Sequence, residues 1–329
     1  MTTMATHARR SRHRWVPALG LLVGVTMSLT AIAALYDATT QRPWAPPAGL
    51  TYVDTGGYAT RFIALGPRRA HPIVLIHGAF ESADTWKSVA RLLGRRFHVE
   101  AYDLKGYGYT ERRGPYDISA LADQLAAFLS VRHLTHPILV GHSLGAGVIA
   151  RFVLNHPHVA AGIVFLDGDG LTANYPTWVF RDLVPEPFRT ALYRSLLSND
   201  LLVGEVFALA CGPQCRPLTH AQLDTFERPF FVAGAEQAFF TIASHPLVGV
   251  TMAQRHELSM LSTPSLVIVG AHDPELSPQQ AAAAARDIGA PSPTVLSGDG
   301  HLALWSDPLH VAQALAAFCD RLASTTPVG

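Results

Sequence analysis

The sequence predicts an α/β chain: a doubly wound, mostly parallel sheet with a helical cap insertion, preceded by a transmembrane helix. Three observations carry that expectation. Short runs rich in branched residues recur at Ile73 to Ile76, His98 to Tyr102, Ile138 to Val140, Ile163 to Leu166 and Leu266 to Val269. Strands that are apolar at consecutive positions are buried on both faces, as in a parallel sheet covered by helices. The segments between the runs read as helix or loop, and an apolar stretch without a charge, Trp15 to Tyr36, opens the chain.

That stretch follows Arg9, Arg10, Arg12 and Arg14. About 20 apolar residues at about 1.5 Å each cover a hydrocarbon core of roughly 30 Å, whereas the apolar part of a signal peptide is usually about 7 to 15 residues. Residues 1–14 are therefore expected to be a cytoplasmic basic segment and 15–36 a single-pass anchor. The positive-inside bias places the chain beyond Tyr36 outside the cytoplasm. The alternative is secretion after cleavage near Ala31-Ile32-Ala33. Residues 37–50 hold Pro43, Pro46, Pro47 and Gly49 and read as a stiff linker. The expected core is 51–170 together with 262–329, and 171–261 is the expected cap.

The helices carry their own signals. Ile118, Leu121, Leu125, Phe128 and Leu129 recur on one face after Asp117. Ser277-Pro278-Gln279-Gln280 presents a cap, a proline at the first helical position and a glutamine three residues after the cap, and Gly289 can stop the helix. A last helix opens at Asp307-Pro308 with Ala312, Leu315, Ala316, Cys319 and Leu322 as its apolar stripe, which makes Cys319 a core residue. The insertion holds eight of the fifteen phenylalanines and no convincing strand.

Net charge is zero and 15% of residues are charged. No basic field exists to hold nucleic acid. His256-Glu257-Leu258-Ser259-Met260 lacks the second histidine of a zinc helix, so neither metal nor cofactor is expected. Cys211 and Cys215 are expected to be bonded in an oxidising compartment.

The chemistry concentrates at Gly141-His142-Ser143-Leu144-Gly145, directly after one apolar strand and before a helical segment. In that context a G-x-S-x-G pentapeptide is a nucleophile elbow, with glycines where a side chain would meet backbone. A serine hydroxyl is a weak nucleophile until a base takes its proton. Of sixteen histidines, His301 stands in the turn Ser297-Gly298-Asp299-Gly300-His301 after the apolar strand Thr294 to Leu296. Asp273, in Gly270-Ala271-His272-Asp273-Pro274 after the strand ending at Val269, is the favoured acid, with Asp167 and Asp169 as rivals. Acyl transfer also needs donors for an oxyanion. The Leu144 amide and that of Ala79, with Phe80 as the alternative, are the expected pair. Phe80 and Trp178 are the expected substrate contacts, and further cap aromatics either face the site or fill the cap's own core.

The succession of His77-Gly78, Asp103-Leu104-Lys105-Gly106-Tyr107-Gly108, Gly-His-Ser-Leu-Gly, Gly270-x-x-Asp273 and Gly300-His301 resembles the α/β-hydrolase superfamily over residues 50–170 and 262–322. It is similar to the branch of esterases, cofactor-free haloperoxidases, C–C bond hydrolases and epoxide hydrolases. Serine at 143 departs from the carboxylate nucleophile of the epoxide hydrolases and haloalkane dehalogenases. The resemblance implies that Asp103 holds its turn and that the cap overlies the nucleophile. The function so expected is hydrolysis of uncharged, largely apolar small-molecule esters through an acyl-enzyme. The alternatives are acyl transfer, perhydrolysis or C–C cleavage on the same triad, and a catalytically silent binding module.

Overall fold

The computed structural model describes residues 7–40, 42–171, 184–186, 188–246 and 249–325. In chain order the elements are α1 (His7–Thr39), β1 (Thr51–Asp54), β2 (Ala59–Leu65), β3 (Pro72–Ile76), α2 (Lys87–Leu93), β4 (His98–Tyr102), α3 (Ile118–Val131), β5 (Ile138–His142), α4 (Leu144–Asn155) and β6 (Gly162–Leu166). There follow α5 (Phe188–Leu197), α6 (Asp200–Cys211), α7 (His220–Phe231), α8 (Ala235–Ala243), α9 (Met252–Met260), β7 (Ser265–Gly270), α10 (Pro278–Asp287), β8 (Thr294–Leu296), α11 (Ala303–Ser306) and α12 (Pro308–Thr325).

The strands form one sheet in the order β1-β2-β4-β3-β5-β6-β7-β8. Pairs β1/β2 and β2/β4 are antiparallel and the remaining pairs parallel. Period-two alternation explains the consecutive apolar runs. Val74, Ile76, Leu139, Ile163 and Phe165 enter a core beneath α3, α4 and α10, while Ile73, Leu75, Ile138, Val140, Val164 and Leu166 enter the opposite core beneath α2, α11 and α12. These runs are apolar throughout because both faces are covered, whereas β4 buries His98 and Glu100 by pairing them with each other and Glu100 with Arg132.

The sequence-predicted strands are all present, and β1 and β2 are additional. Their pattern hides them: β1 is a four-residue edge strand that is mostly exposed. The hairpin between them is closed by Asp54, whose Oδ1 accepts from Gly56 N–H at 2.9 Å and Gly57 N–H at 2.6 Å, both glycines having positive φ.

The start of α10 follows the expected cap, and Asp117 caps α3 as well. Asp117 accepts from the amides of Ser119 and Ala120 before α3, and Ser277 forms a capping box with Gln280 before α10. Gly289, at φ +70°, lies just past the end of α10. Cys319 is buried in the core beneath α2, α11 and α12, and burial pushes its thiol up to about 12.

Among the described residues, five helices, α5 to α9, lie between β6 and β7. The N-terminal helix is longer than the apolar run. It continues through Asp37 to Thr39, with the Thr39 and Thr40 hydroxyls bonded back to the Leu35 and Tyr36 carbonyls, and the span long and apolar enough to cross a membrane is Ala18–Thr39. The linker is not a free spacer. Trp44 stacks on Phe231 at 4.7 Å and donates its amide to the Phe231 carbonyl, so the segment lies against α7.

Candidate active site

Ser143 closes β5 and opens α4 with φ 49° and ψ −114°, a conformation that costs a non-glycine residue free energy. The surrounding glycines make the turn possible. A Cβ on Gly141 would stand 2.3 Å from the Gly145 carbonyl carbon, and one on Gly145 would stand 2.5 Å from the Ile76 oxygen. The next loop is equally close, since a Cβ on Gly168 would lie 2.7 Å from the Ser143 oxygen. The turn is therefore held from both neighbouring strands, with the serine at the C-terminal edge of the sheet where such folds gather their sites.

His301 reaches this edge on the loop after β8. Its Nδ1 lies 2.9 Å from Asp273 Oδ2, while Asp273 Oδ1 accepts from the amides of Glu275 and Leu276 at 2.7 and 3.0 Å. The carboxylate is thus fixed by two backbone donors, and it fixes the imidazole tautomer with Nδ1 protonated and Nε2 open. The rival acids are occupied elsewhere. Asp169 bonds the Leu171 amide and approaches Arg255 at 3.4 Å. Asp167 accepts from the Gly270 amide at 2.8 Å, its Oδ2 has no hydrogen-bond partner among the described residues, and burial pushes its carboxyl up to about 7.

Burial pushes the His301 imidazole down, but the Asp273 hydrogen bond and the charges of Asp273 and Glu275 outweigh it and hold the group above its ordinary value. Glu275 Oε2 stands 3.6 Å from Nε2 on an exposed side chain. Sequence reasoning missed Glu275, although its place two residues after the expected acid was visible.

A second pair lies beneath the elbow. His142, fully buried, sets Nδ1 2.9 Å from Glu81 Oε1 and directs Nε2 to the His301 carbonyl oxygen at 2.7 Å. Burial pushes His142 down, yet the charge of Glu81 and then that of Asp167 outweigh it and raise the imidazole to about 9. Burial pushes Glu81 up, and His142 more than offsets this, holding it below the usual carboxylate range. Glu81 Oε2 also accepts from the Gly78 amide at 3.3 Å. The pair therefore joins the loop after β3, the elbow and the His301 loop. Neither residue was singled out from sequence, though His142 sits inside the pentapeptide.

The loop after β3 is shaped by His77, whose Nδ1 donates to the Gly78 carbonyl at 2.7 Å while Nε2 accepts from the Leu104 amide at 2.9 Å. Burial holds His77 below its ordinary value, which suits this neutral tautomer. Phe80 follows with φ 62°. Among the described residues the amides of Ala79 and Leu144 have no hydrogen-bond partner. Asp103 holds its turn: it accepts from the Ala83 and Tyr109 amides and pairs with Arg61.

A small pocket, with about 20 Å³ open to a water-sized sphere, abuts this loop. Phe80, Tyr107, Phe230, Phe239, Ile242 and Arg112 line it, with Arg112 clasping the Tyr107, Gly108, Thr110 and Pro229 carbonyls. The cap aromatics thus divide. Phe230 and Phe239 face the cavity, Phe207 packs in a small core with Cys211 and Leu302, and Phe231 holds Trp44. Tyr175, Trp178 and Phe180 lie outside the described residues, so the expected Trp178 contact is not located.

The cap also grips the His301 loop. Cys211 and Cys215 form a disulfide with Cα atoms 5.5 Å apart, and the carbonyls of Ala210 and Cys211 accept from the His301 and Gly300 amides at 2.6 and 2.9 Å. A Cβ on Gly300 would stand 2.4 Å from the Ala210 oxygen, so glycine is required for the approach.

Comparison with known proteins bears on the family and the fold. The Alpha/beta hydrolase family profile matches residues 73–314. An uncharacterized protein of Mycobacterium tuberculosis is 28% identical over 289 residues, 85% of this chain and 83% of its own length. A putative aryl esterase from Burkholderia cenocepacia superposes with TM-score 0.66 at 21% identity, over 84% of this chain and 99% of the other. A bacterial membrane phospholipase A superposes with the same score and identity, over 96% of this chain and 99% of the other. With a profile match over more than half its length and the sheet order described above, the chain belongs to the alpha/beta hydrolase family.

Proposed function

We propose that the protein is a serine hydrolase that cleaves carboxylic esters through an acyl-enzyme on Ser143. The observation that carries this reading is the 2.9 Å bond from His301 to Asp273 on a loop tied to the strained Ser143 elbow through His142. In the first step His301 Nε2 takes the Ser143 proton as Oγ attacks the ester carbonyl, and Asp273 stabilises the imidazolium. The Ala79 and Leu144 amides receive the oxyanion. The imidazolium then protonates the departing alkoxide, leaving the acyl group on Oγ. In the second half His301 deprotonates a water, which attacks the acyl carbonyl and restores Ser143.

The apolar lining of the small pocket beside Phe80, with Phe230 and Phe239 on it, supports uncharged acyl groups, and the medium-length or aromatic preference requires those cap rings to part. The span Ala18–Thr39 supports a tethered enzyme, with the arginines before it inside and the catalytic part outside. The test is turnover of p-nitrophenyl esters from acetyl to octanoyl and benzoyl. Each buried methylene contributes at most ~0.8 kcal/mol, roughly fourfold in kcat/KM, so the preference climbs over several carbons and then stops. A flat or falling series without gain for benzoyl rejects the apolar acyl site.

A further inference from the structure

Soluble helices normally show water a polar face, and α6 does not. Its inward seam is Val203, Phe207 and Cys211, all buried. Its outer face carries Leu201, Leu202, Val206 and Leu209 at 83%, 38%, 59% and 77% exposure, with Glu205 among them. On the adjoining α5, Leu192 and Leu196 are 44% and 43% exposed, one turn apart. Six large apolar side chains on two neighbouring helices exceed the scattered leucines of an ordinary surface and mark a contact face.

The N-terminal helix indicates what covers it. Element α1 packs against α5. Arg194 of α5, held by Glu236 of α8 at 2.9 Å, donates to the Asp37 carbonyl and the Thr40 hydroxyl at 2.8 and 2.9 Å. Along the span, Ala33 is 7% exposed whereas Ile32 and Leu35 are 64% and 66% exposed, so one face of α1 is covered from Ala33 onward. Ala33 precedes the end of the span by six residues, which at about 1.5 Å per residue is ~9 Å of depth. Interfacial amphipathic helices seat roughly 5–10 Å into the boundary between headgroups and acyl chains.

We propose that the outer face of α5 and α6 is a second membrane contact, seated in the boundary of the bilayer that α1 crosses. This rests on the reading of α1 as a retained anchor. It deepens the proposed function by placing the cap, and the cavity behind it, at the lipid surface, so the favoured substrates are esters partitioned into the bilayer. Continuity with α1 favours lipid over a second copy of the chain, since the face is carried by the helices that α1 itself fastens.

The test uses the full-length protein in phosphatidylcholine–phosphatidylglycerol vesicles, spin-labelled singly at Leu29→Cys, Leu201→Cys or Leu209→Cys. Collision with oxygen, which concentrates in lipid, is compared with collision with a water-soluble nickel chelate. Oxygen-favoured labels at all three positions are expected. A lipid-exposed label at 29 with chelate-accessible labels at 201 and 209 overturns the cap contact alone. A chelate-accessible label at 29 removes the anchor and the proposal with it. Labels at 201 and 209 shielded from both probes assign the face to another protein copy and overturn the lipid contact. As a functional measure, the Leu201→Asp/Leu209→Asp variant is expected to lose about tenfold in kcat/KM on a long-chain ester embedded in vesicles. Its rate on p-nitrophenyl butyrate in water should stay at the wild-type level. Equal losses on both substrates overturn the proposal.

Discussion

His142 Nε2 stands 2.7 Å from the carbonyl oxygen of His301, so the residue before the expected nucleophile holds the backbone of its expected base. Glu81, 2.9 Å from Nδ1, favours the protonated imidazole, and a charged donor roughly doubles the strength of a hydrogen bond.

This pair makes stability depend on pH. His142 binds its proton up to about 9 when folded, against an ordinary 6.5, so its contribution is fully present below about pH 6.5 and lost as pH rises through 9. Asp167, raised to about 7 by burial, acts in the same direction between its ordinary 3.8 and 7. Glu81, held low, acts oppositely only in acid. The midpoint of thermal unfolding should therefore fall between pH 6.5 and 9. Glu81→Gln should lower it at pH 6 and flatten that fall, because the cause of the raised His142 is gone. A wild-type midpoint that is level across this range contradicts the charged pair.

The His301 imidazole works as a base only when neutral, so what raises it moves the acidic limb of kcat/KM to higher pH. Glu275→Gln should move that limb to lower pH by less than about one unit, since the carboxylate is largely exposed and screened. Asp273→Asn should instead lower the rate itself, on the order of 10⁴-fold, through loss of the tautomer. Asp167→Asn, at a carboxyl that accepts from the Gly270 amide rather than from His301, should keep most of the rate. Matching losses for Asp167→Asn and Asp273→Asn contradict the assignment of the acid.

These expectations divide by what a sequence displays. The elbow was legible because Gly141 is required by backbone contacts within a few residues and the pentapeptide marks the turn, and the cap of α10 is equally local. The strands of the parallel sheet were legible because two-sided burial leaves continuous apolar runs. The Glu81–His142 pair was not, since it joins residues 61 positions apart through packing alone. The docking of α1 and Trp44 on the cap was hidden for the same reason: proline-rich composition reports local stiffness and says nothing of an arginine and a phenylalanine far along the chain.

The disulfide should report on catalysis more than on folding. It closes a short loop, which constrains the unfolded chain little, yet it sits where Ala210 and Cys211 accept from the His301 loop. Cys211→Ser/Cys215→Ser should lower kcat by about 5- to 30-fold, the equivalent of one or two weakened hydrogen bonds, with the fold retained by circular dichroism. Gly300→Ala, whose Cβ must displace the Ala210 oxygen, should lose more. Wild-type kcat in both variants contradicts a positioning role for the cap.

The nucleophile itself can be read directly by treating the folded, full-length protein with a fluorophosphonate and mapping the adduct by peptide mass spectrometry. A single phosphonyl group on Ser143 is expected, lost in Ser143→Ala and formed far more slowly in His301→Ala, because only a hydroxyl with its base beside it reacts at a useful rate. An unlabelled wild-type protein, or an adduct on any other residue, contradicts catalysis by Ser143.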